Sequence, residues 1–289
     1  MFAAPPDIET RVFARLPDQF RRPHTRSHWA DLQMRGAKLD SFLEGPSFDR
    51  AGNLYVVDIP YGRIFRVSPD AAWTLVTEYD GEPNGLKIHR DGTIYIADHK
   101  HGIMRLDPDT GAVERLLAEV DGTAMVFTNN AAIGSDGTTW FSDSSRHYGI
   151  ERWKDDFVQD TRSGRLLSLA PDGTVTTVLD GLAFANGVAL SADESFVVVA
   201  ETRARTLVRR WLTGDRAGTR DLLAAHTVVF LQVGLSDAVK RVGLGTSRPL
   251  LMGNVRARVK AFKAQNETNM VALEGVERES QVGSRTVLD

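Results

Sequence analysis

Residues 84–92 read N-G-L-K-I-H-R-D-G, and the same layout occurs at three other places in the chain. In each copy a polar residue leads a mostly apolar segment, and a turn position follows eight residues after that leading residue. We call the polar positions the lead residues; with their turn positions they are Glu44 and Gly52, Asn84 and Gly92, Asn129 and Gly137, and Asn186 and Glu194. A second apolar run follows every turn. The chain therefore contains one supersecondary unit four times, with a polar or acidic group at the same place in each.

Each unit has the pattern of four short strands. Residues 62–68 (G-R-I-F-R-V-S) alternate apolar and polar side chains, as a half-buried strand does. D-G, D-P and T-G pairs separate the runs and are typical of tight turns. Four antiparallel strands in a unit describe one blade of a β-propeller, and turns spaced by 40, 45 and 57 residues suit blades rather than helical repeats. The sequence thus predicts an all-β propeller with four recognisable blades.

The extent of the repeat divides the chain into three segments. Residues 44–224 hold the four blades. Residues 1–43 lack the repeat and predict an N-terminal arm, in which residues 10–16 (T-R-V-F-A-R-L) are a candidate strand that closes the ring. Residues 225–289 contain no Trp, no Tyr and no D-G turn. We therefore expect a divergent C-terminal segment there, with the last blades degenerate or lost.

Composition limits the partners. The formal net charge is −3, which does not favour a nucleic acid or an anionic membrane surface. The absence of Cys excludes disulfides, thiolate metal sites and cysteine catalysis. The N-terminus lacks the basic and apolar regions of a signal peptide, and no run approaches the roughly 20 apolar residues of a membrane span. We expect a cytoplasmic protein with neither a nucleic acid nor a membrane as its partner.

The lead residues point to a metal site. The first strand of every propeller blade lines the central channel, so residues at the same position of successive first strands converge. One carboxylate, Glu44, with amide oxygens from the Asn lead residues suits a hard cation such as Ca²⁺, and such a cation can polarise a carbonyl and activate water. Alternatively, the Asn residues recur only because they begin turns or strands. This alternative explains Glu44 poorly, since an acid facing the channel costs desolvation unless it is paired or liganded.

Two stretches carry a resemblance to known families. Residues 43–69 (L-E-G-P-S-F-D-R-A-G-N-L-Y-V-V-D-I-P-Y-G-R-I-F-R-V-S-P), followed by E-P-N-G-L-K-I-H-R-D-G, resemble the gluconolactonase/regucalcin family of six-bladed propellers. Residues 125–220, with W-F-S-D-S-S and L-D-G-L-A-F-A-N-G-V-A-L-S, look more like the strictosidine-synthase-like relatives of that family. The resemblance implies a six-bladed ring, of which this chain shows four clear blades.

The same resemblance implies a set of site residues. One divalent metal, Ca²⁺ first and Zn²⁺, Mn²⁺ or Mg²⁺ as alternatives, would be held by Glu44, Asn129 and Asn186. Asn130 would be a substrate-side group, and Asn84, at a matching blade position, is assigned to substrate binding as well. The family also has an Asp in a P-D-G or P-D-N motif of the next blade, which is both a ligand and the presumed general base. This chain has A-H-T-V-V-F-L there, and Asp237, eight residues before Gly245, is the candidate that spacing offers.

Three functions remain open at this point. The first is a metal-dependent hydrolase acting on a small lactone or ester, which the E-G-P motif favours. The second is a catalytically inactive propeller that binds a small molecule or a protein, which the missing Asp motif favours. The third is a strictosidine-synthase-like condensing enzyme, which relies on a Glu of a late blade that this sequence does not identify.

Other polar clusters are weaker candidates for a catalytic or metal site. His99 and His101 have the spacing of a strand chelate but no complete ligand set, so we expect a surface loop. Ser144, Ser145 and His147 lack a nucleophile elbow, which predicts a loop at the channel mouth that touches substrate.

Overall fold

The computed structural model describes residues 12–33, 36 and 38–223. The described chain is all-β apart from short helical segments: four antiparallel four-stranded sheets follow one another along the sequence, each with its strands in sequential order. The all-β prediction is confirmed, and each sheet has the strand order of a propeller blade. Residues 225–289, where we expect a divergent segment with the last blades degenerate or lost, and Asp237 within them lie outside the described residues.

The first two sheets follow the predicted units closely. The first contains β1 (Leu43–Phe48), β2 (Leu54–Asp58), β3 (Arg63–Val67) and β4 (Trp73–Glu78). The second contains β5 (Pro83–Ile88), β6 (Ile94–Asp98), β7 (Gly102–Leu106) and β8 (Val113–Leu117), and a small hairpin of β9 (Glu119–Val120) and β10 (Thr123–Ala124) comes after it.

The third and fourth sheets complete the described blades. The third contains β11 (Thr128–Ile133), β12 (Thr139–Asp143), β13 (Gly164–Leu169) and β14 (Val175–Leu182), with helix α2 (Trp153–Gln159) in the long connection after β12. The fourth contains β15 (Ala185–Leu190), β16 (Phe196–Glu201), β17 (Thr206–Trp211) and β18 (Arg220–Leu223). Helix α1 (His28–Gln33) and two 3-10 turns, Asp18–Phe20 and Ile59–Tyr61, are the other helical elements described.

The N-terminal arm differs from the expectation. Residues 12–17 have no regular secondary structure, so the described part of the candidate ring-closing strand at 10–16 is not a strand; residues 10 and 11 lie outside the described residues. The polar stretch that follows leads into α1, whose Trp29 is buried among residues of the first two sheets. An indole ring can anchor a short helix by packing, which polarity alone does not reveal.

The predicted turn positions take the left-handed backbone conformation. Gly52, Gly92 and Gly137 have φ of 84°, 96° and 90°, and Glu194 adopts the same conformation with φ 55°. A side chain at positive φ is disfavoured. Glu194 has compensating contacts, since its carboxylate accepts hydrogen bonds from Ser135 N (2.7 Å) and Ser135 Oγ (3.1 Å) in the turn of the third sheet.

The hydrophobic core lies between neighbouring sheets. Val57 and Ile64 of the first sheet pack with Leu86 and Ile96 of the second, and all four side chains are fully buried. Further clusters join the second sheet to the third and the third to the fourth. Burial of such side chains contributes about 1.5–3 kcal/mol each, so the sheets stabilise one another face to face. Among the described residues, no helix has the length and apolar character needed to cross a membrane.

Candidate active site

All four lead residues occupy the same irregularity of a first strand. The pairing between first and second strand shifts register between Glu44 and Ser47 in β1, and at the equivalent places in β5, β11 and β15. Such bulges re-aim side chains and recur at functional sites. The first strands also adjoin in chain order, because β5 contacts β1 and β11, and β11 contacts β15. The repeat therefore places the lead residues side by side at one end of the sheets.

Close approach of the first strands explains the glycines that follow the lead residues. A Cβ on Gly45 would lie 2.7 Å from the carbonyl oxygen of Asn84, and one on Gly85 would lie 2.8 Å from that of Asn129. In the third sheet Asn130 takes the corresponding place, and its Oδ1 accepts a hydrogen bond from Val188 N at 3.2 Å. Part of the E-G and N-G pattern is thus structural, whatever the site binds.

Two of the lead residues bind each other directly. Asn84 Nδ2 donates to Asn129 Oδ1 at 2.8 Å and to the carbonyl oxygen of Asn129 at 2.9 Å. Both side chains are buried, whereas Asn186 is half-buried. The hydrogen bond to Asn84 fixes the orientation of the side-chain amide of Asn129.

Glu44 is the one lead residue with an ionisable side chain. Its side chain is half-buried, and desolvation raises the pKa of the carboxyl above its ordinary value, while a hydrogen bond from Gly45 N (3.3 Å) lowers that pKa in part. Within the described chain, Glu44 makes no ion pair. A desolvated carboxylate without a counter-ion suits a hard, oxygen-coordinated cation.

Whether a cation fits at the lead residues depends on the amide oxygens. In residues 12–223 as described, no cluster of three or more His, Cys, Asp and Glu side chains is arranged to hold a metal ion. A cation at the lead residues would therefore take one carboxylate, from Glu44, and carbonyl-type oxygens from residues such as Asn129 and Asn186. The ligand roles of these three residues remain a prediction.

Four buried acids were not predicted from the sequence. Every second strand ends in one: Asp58, Asp98, Asp143 and Glu201. Asp58 Oδ1 accepts a hydrogen bond from Phe42 N (2.7 Å), and Asp98 Oδ2 accepts one from Glu82 N (2.9 Å). These amides lie two residues before Glu44 and Asn84, so the acids fix the backbone that leads into the site. The acid at the end of each second apolar run was the available sequence signal.

Two of these acids also bind buried arginines. Asp58 pairs with Arg63 through Nε at 2.8 Å, and Asp143 pairs with Arg165 through Nε at 3.2 Å and Nη2 at 2.5 Å. Burial raises the pKa of both carboxyls above the ordinary value, and the guanidinium groups lower it in part. Each pair ties the second strand of a sheet to its third strand.

The histidine and serine positions differ in part from their predictions. His99 is 5% exposed and packs edge-to-face on Phe127 with ring centroids 4.5 Å apart, so its assignment to a surface loop was wrong. Ser144 and Ser145 are buried: Ser144 Oγ donates to Ala185 O, and Ser145 Oγ accepts from the backbone of His147. These contacts hold the connection after β12 in place and give neither hydroxyl a neighbouring base.

Helix α1 is hydrogen-bonded to α2 and to Ile150, which precedes it. Gln33 of α1 donates from Nε2 to Ile150 O (2.7 Å) and accepts at Oε1 from Trp153 Nε1 (2.6 Å). Because α1 packs on the 3-10 turn of the first sheet, this double contact links the first and third sheets at the end where the lead residues lie. We call α1 and residues 144–163 the strap.

Comparisons with known proteins agree with this architecture. The sequence model described as the SMP-30/gluconolactonase/LRE-like region matches residues 42–227. Protein strictosidine synthase-like 13 of Arabidopsis thaliana is 36% identical over 146 residues, which are 50% of this chain and 36% of that protein. The match thus spans little more than a third of that relative's length.

Two solved structures share the fold. A gluconolactonase from Xanthomonas campestris has a TM-score of 0.54 and 19% identity, covering 63% of this chain and 62% of that one. Regucalcin from Agrobacterium tumefaciens, a calcium-binding protein, has a TM-score of 0.51 and 18% identity, covering 65% of this chain and 61% of that one. At these identities the likeness concerns the fold alone.

Proposed function

We propose that this chain, which belongs to the SMP-30/gluconolactonase/LRE-like family, is a metal-dependent hydrolase of lactones or related esters. The observation that carries the proposal is the set of polar lead residues at the same bulge of adjacent first strands, with the desolvated carboxyl of Glu44 among them. The names of two proteins with this fold, a gluconolactonase and a calcium-binding regucalcin, support both the reaction and the metal.

Glu44, Asn129 and Asn186 would hold the cation, most simply Ca²⁺, which prefers oxygen ligands. When bound, the cation would supply Lewis-acid polarisation of the substrate carbonyl and activation of water. Asn84 orients the amide of Asn129 through its two hydrogen bonds. Asn130 commits its oxygen to Val188 N, so its proposed contact with substrate would come from the amide nitrogen.

Titration calorimetry with Ca²⁺ and pH-stat assays on a panel of lactones test the proposal. Glu44→Gln keeps the shape of the side chain and removes its charge, so we expect loss of both Ca²⁺ binding and lactone turnover. Glu114→Gln is the matched control, because Glu114 is an exposed residue that pairs with Arg105. Wild-type affinity for Ca²⁺ in Glu44→Gln would contradict the assignment of the ligand.

A second candidate function is a propeller that binds a small molecule without hydrolysing it. Asn84 and Asn129 are hydrogen-bonded to each other, and Asn130 accepts a hydrogen bond from the backbone of Val188. These contacts give the three side chains a structural role, which favours the second candidate. Turnover of any lactone of the panel by the purified chain would exclude it. A condensation reaction that is insensitive to a chelator would instead support an activity of the kind that the name of the Arabidopsis relative suggests.

A further inference from the structure

One position of the first strands holds a lysine in the second sheet and a small residue in the other three. The position lies three residues after the lead residue and is occupied by Lys87; its counterparts are Ser47, Ala132 and Ala189. Ala132 and Ala189 are buried, as is usual where neighbouring sheets pack closely. The blade repeat therefore does not require a long, cationic side chain at this position, and its presence in the second sheet needs another reason.

Lys87 extends from the face of the second sheet that packs against the third sheet. In β5 it pairs with Tyr95, two positions along from the pair of Gly85 and Ala97, so Lys87 and Gly85 lie on the same face. A Cβ on Gly85 would lie 2.8 Å from the carbonyl oxygen of Asn129, which places β11 against this face. The side chain of Lys87 thus begins between two sheets that pack together through apolar residues.

The amine of Lys87 differs from that of a surface lysine of the same sheet. Within the part of the chain that the structure describes, Lys87 forms no ion pair, and burial lowers the pKa of its amine. Lys100, in contrast, pairs with Asp80 at 2.7 Å, and this hydrogen-bonded carboxylate raises the pKa of Lys100. The side chain of Lys87 is half-buried, so part of it remains accessible to a small molecule.

A desolvated amine without a counter-ion is a nucleophile. A protonated amine has no free lone pair and cannot attack an electrophile, whereas burial favours the neutral form that can. Lysines in such surroundings form imines with carbonyl compounds. Apolar surroundings between the sheets disfavour a charged reagent, so a small, uncharged aldehyde suits this amine best.

We propose that the ε-amine of Lys87 is a covalent binding site for small, uncharged aldehydes, which it holds as imines. The amine nitrogen attacks the carbonyl carbon, and one amine proton passes to the carbonyl oxygen to give a carbinolamine. The second amine proton then leaves with the hydroxyl group as water when the C=N double bond forms. The reaction is reversible and uses no oxidant or reductant. It requires neither a cation at the lead residues nor lactone hydrolysis, so the site is independent of the proposed function.

Reductive trapping with propanal and sodium cyanoborohydride tests the site, because cyanoborohydride converts an imine to a stable secondary amine. The full chain would be treated at pH 7, and peptide mass spectrometry would give the labelling rate of each lysine. We expect Lys87 to be labelled about tenfold faster than Lys100, since one unit of pKa between two amines is a tenfold difference in protonation. Lys154, which is exposed, is a second internal control. The fast phase of labelling should disappear in Lys87→Met and persist in Lys100→Met.

Labelling of the unfolded chain separates an effect of the fold from one of the local sequence. In concentrated urea all lysines should be labelled at similar rates, because the sheets that desolvate Lys87 are lost. Labelling of Lys87 that is no faster than that of Lys100 and Lys154 in the folded chain would overturn the site. A preference for Lys87 that persists in urea, or a fast phase that persists in Lys87→Met, would overturn it as well.

Discussion

Asp143 and Arg165 form an ion pair in which both side chains are almost fully buried. Removing the guanidinium with Arg165→Met leaves a buried carboxylate without its counter-ion, which typically costs about 3–5 kcal/mol. We therefore expect a loss of that size in the free energy of unfolding at pH 7, measured by urea denaturation. Arg105→Met is the control, because Arg105 pairs with Glu114 on the surface and should matter little.

The pH dependence of this loss has a definite sign. Burial already raises the pKa of Asp143 in the folded chain, and loss of Arg165 would raise it further. A folded pKa above the unfolded value favours the folded state at low pH and disfavours it as pH rises through that pKa. The penalty of Arg165→Met should therefore shrink between pH 7 and pH 5. A constant penalty, or one no larger than that of Arg105→Met, would contradict the prediction.

Single residues also show which parts of the site could be predicted from the sequence. The lead residues were predictable because a repeat marks them, and the structure places all four at one kind of bulge. The partners of some buried groups were not, because they come from other blades. His99 was assigned to a surface loop although Phe127, from the next blade, covers it. Likewise, no local pattern distinguishes Glu82 from an exposed acid.

The strap shows that short helices are also difficult to predict from the sequence. The connection after β12 contains α2, which is only seven residues long and carries no clear helical period. Its position depends on aromatic contacts with Phe184 and on Gln33, which is more than a hundred positions away along the chain. Long-range contacts of this kind fix short helices that are unstable alone.

Gln33→Ala tests whether these contacts hold the strap. The variant removes both hydrogen bonds to Ile150 and Trp153, each worth about 1 kcal/mol. We expect faster amide hydrogen exchange in residues 150–159 and a change in Trp fluorescence, with exchange in β5–β8 unaltered. Leu32→Ala, on a partly exposed position of the same helix, is the control. Unchanged exchange in residues 150–159 would show that the aromatic contacts alone hold the strap.

For the molecule as a whole, the stabilising contacts run between successive sheets. Separate hydrophobic clusters join the first sheet to the second, the second to the third and the third to the fourth. Each cluster links only adjacent sheets, so the described blades depend mainly on nearest neighbours, as in repeat proteins. The proposed ligands Glu44, Asn129 and Asn186 come from three different sheets, so a cation shared by them would add a connection that the clusters lack.

Ca²⁺ bound at the proposed site should therefore raise the stability of the chain. A ligand that binds only the folded state adds about 2.7 kcal/mol to the free energy of unfolding at a concentration 100 times its Kd. We expect Tm to rise with Ca²⁺ concentration in a thermal melt and to return to its starting value on addition of a chelator. Glu44→Gln should melt at one temperature under all of these conditions, because it lacks the carboxylate ligand, whereas Glu114→Gln should follow the wild type. A Tm that rises equally with Ca²⁺ in wild type and Glu44→Gln would place the stabilising cation elsewhere.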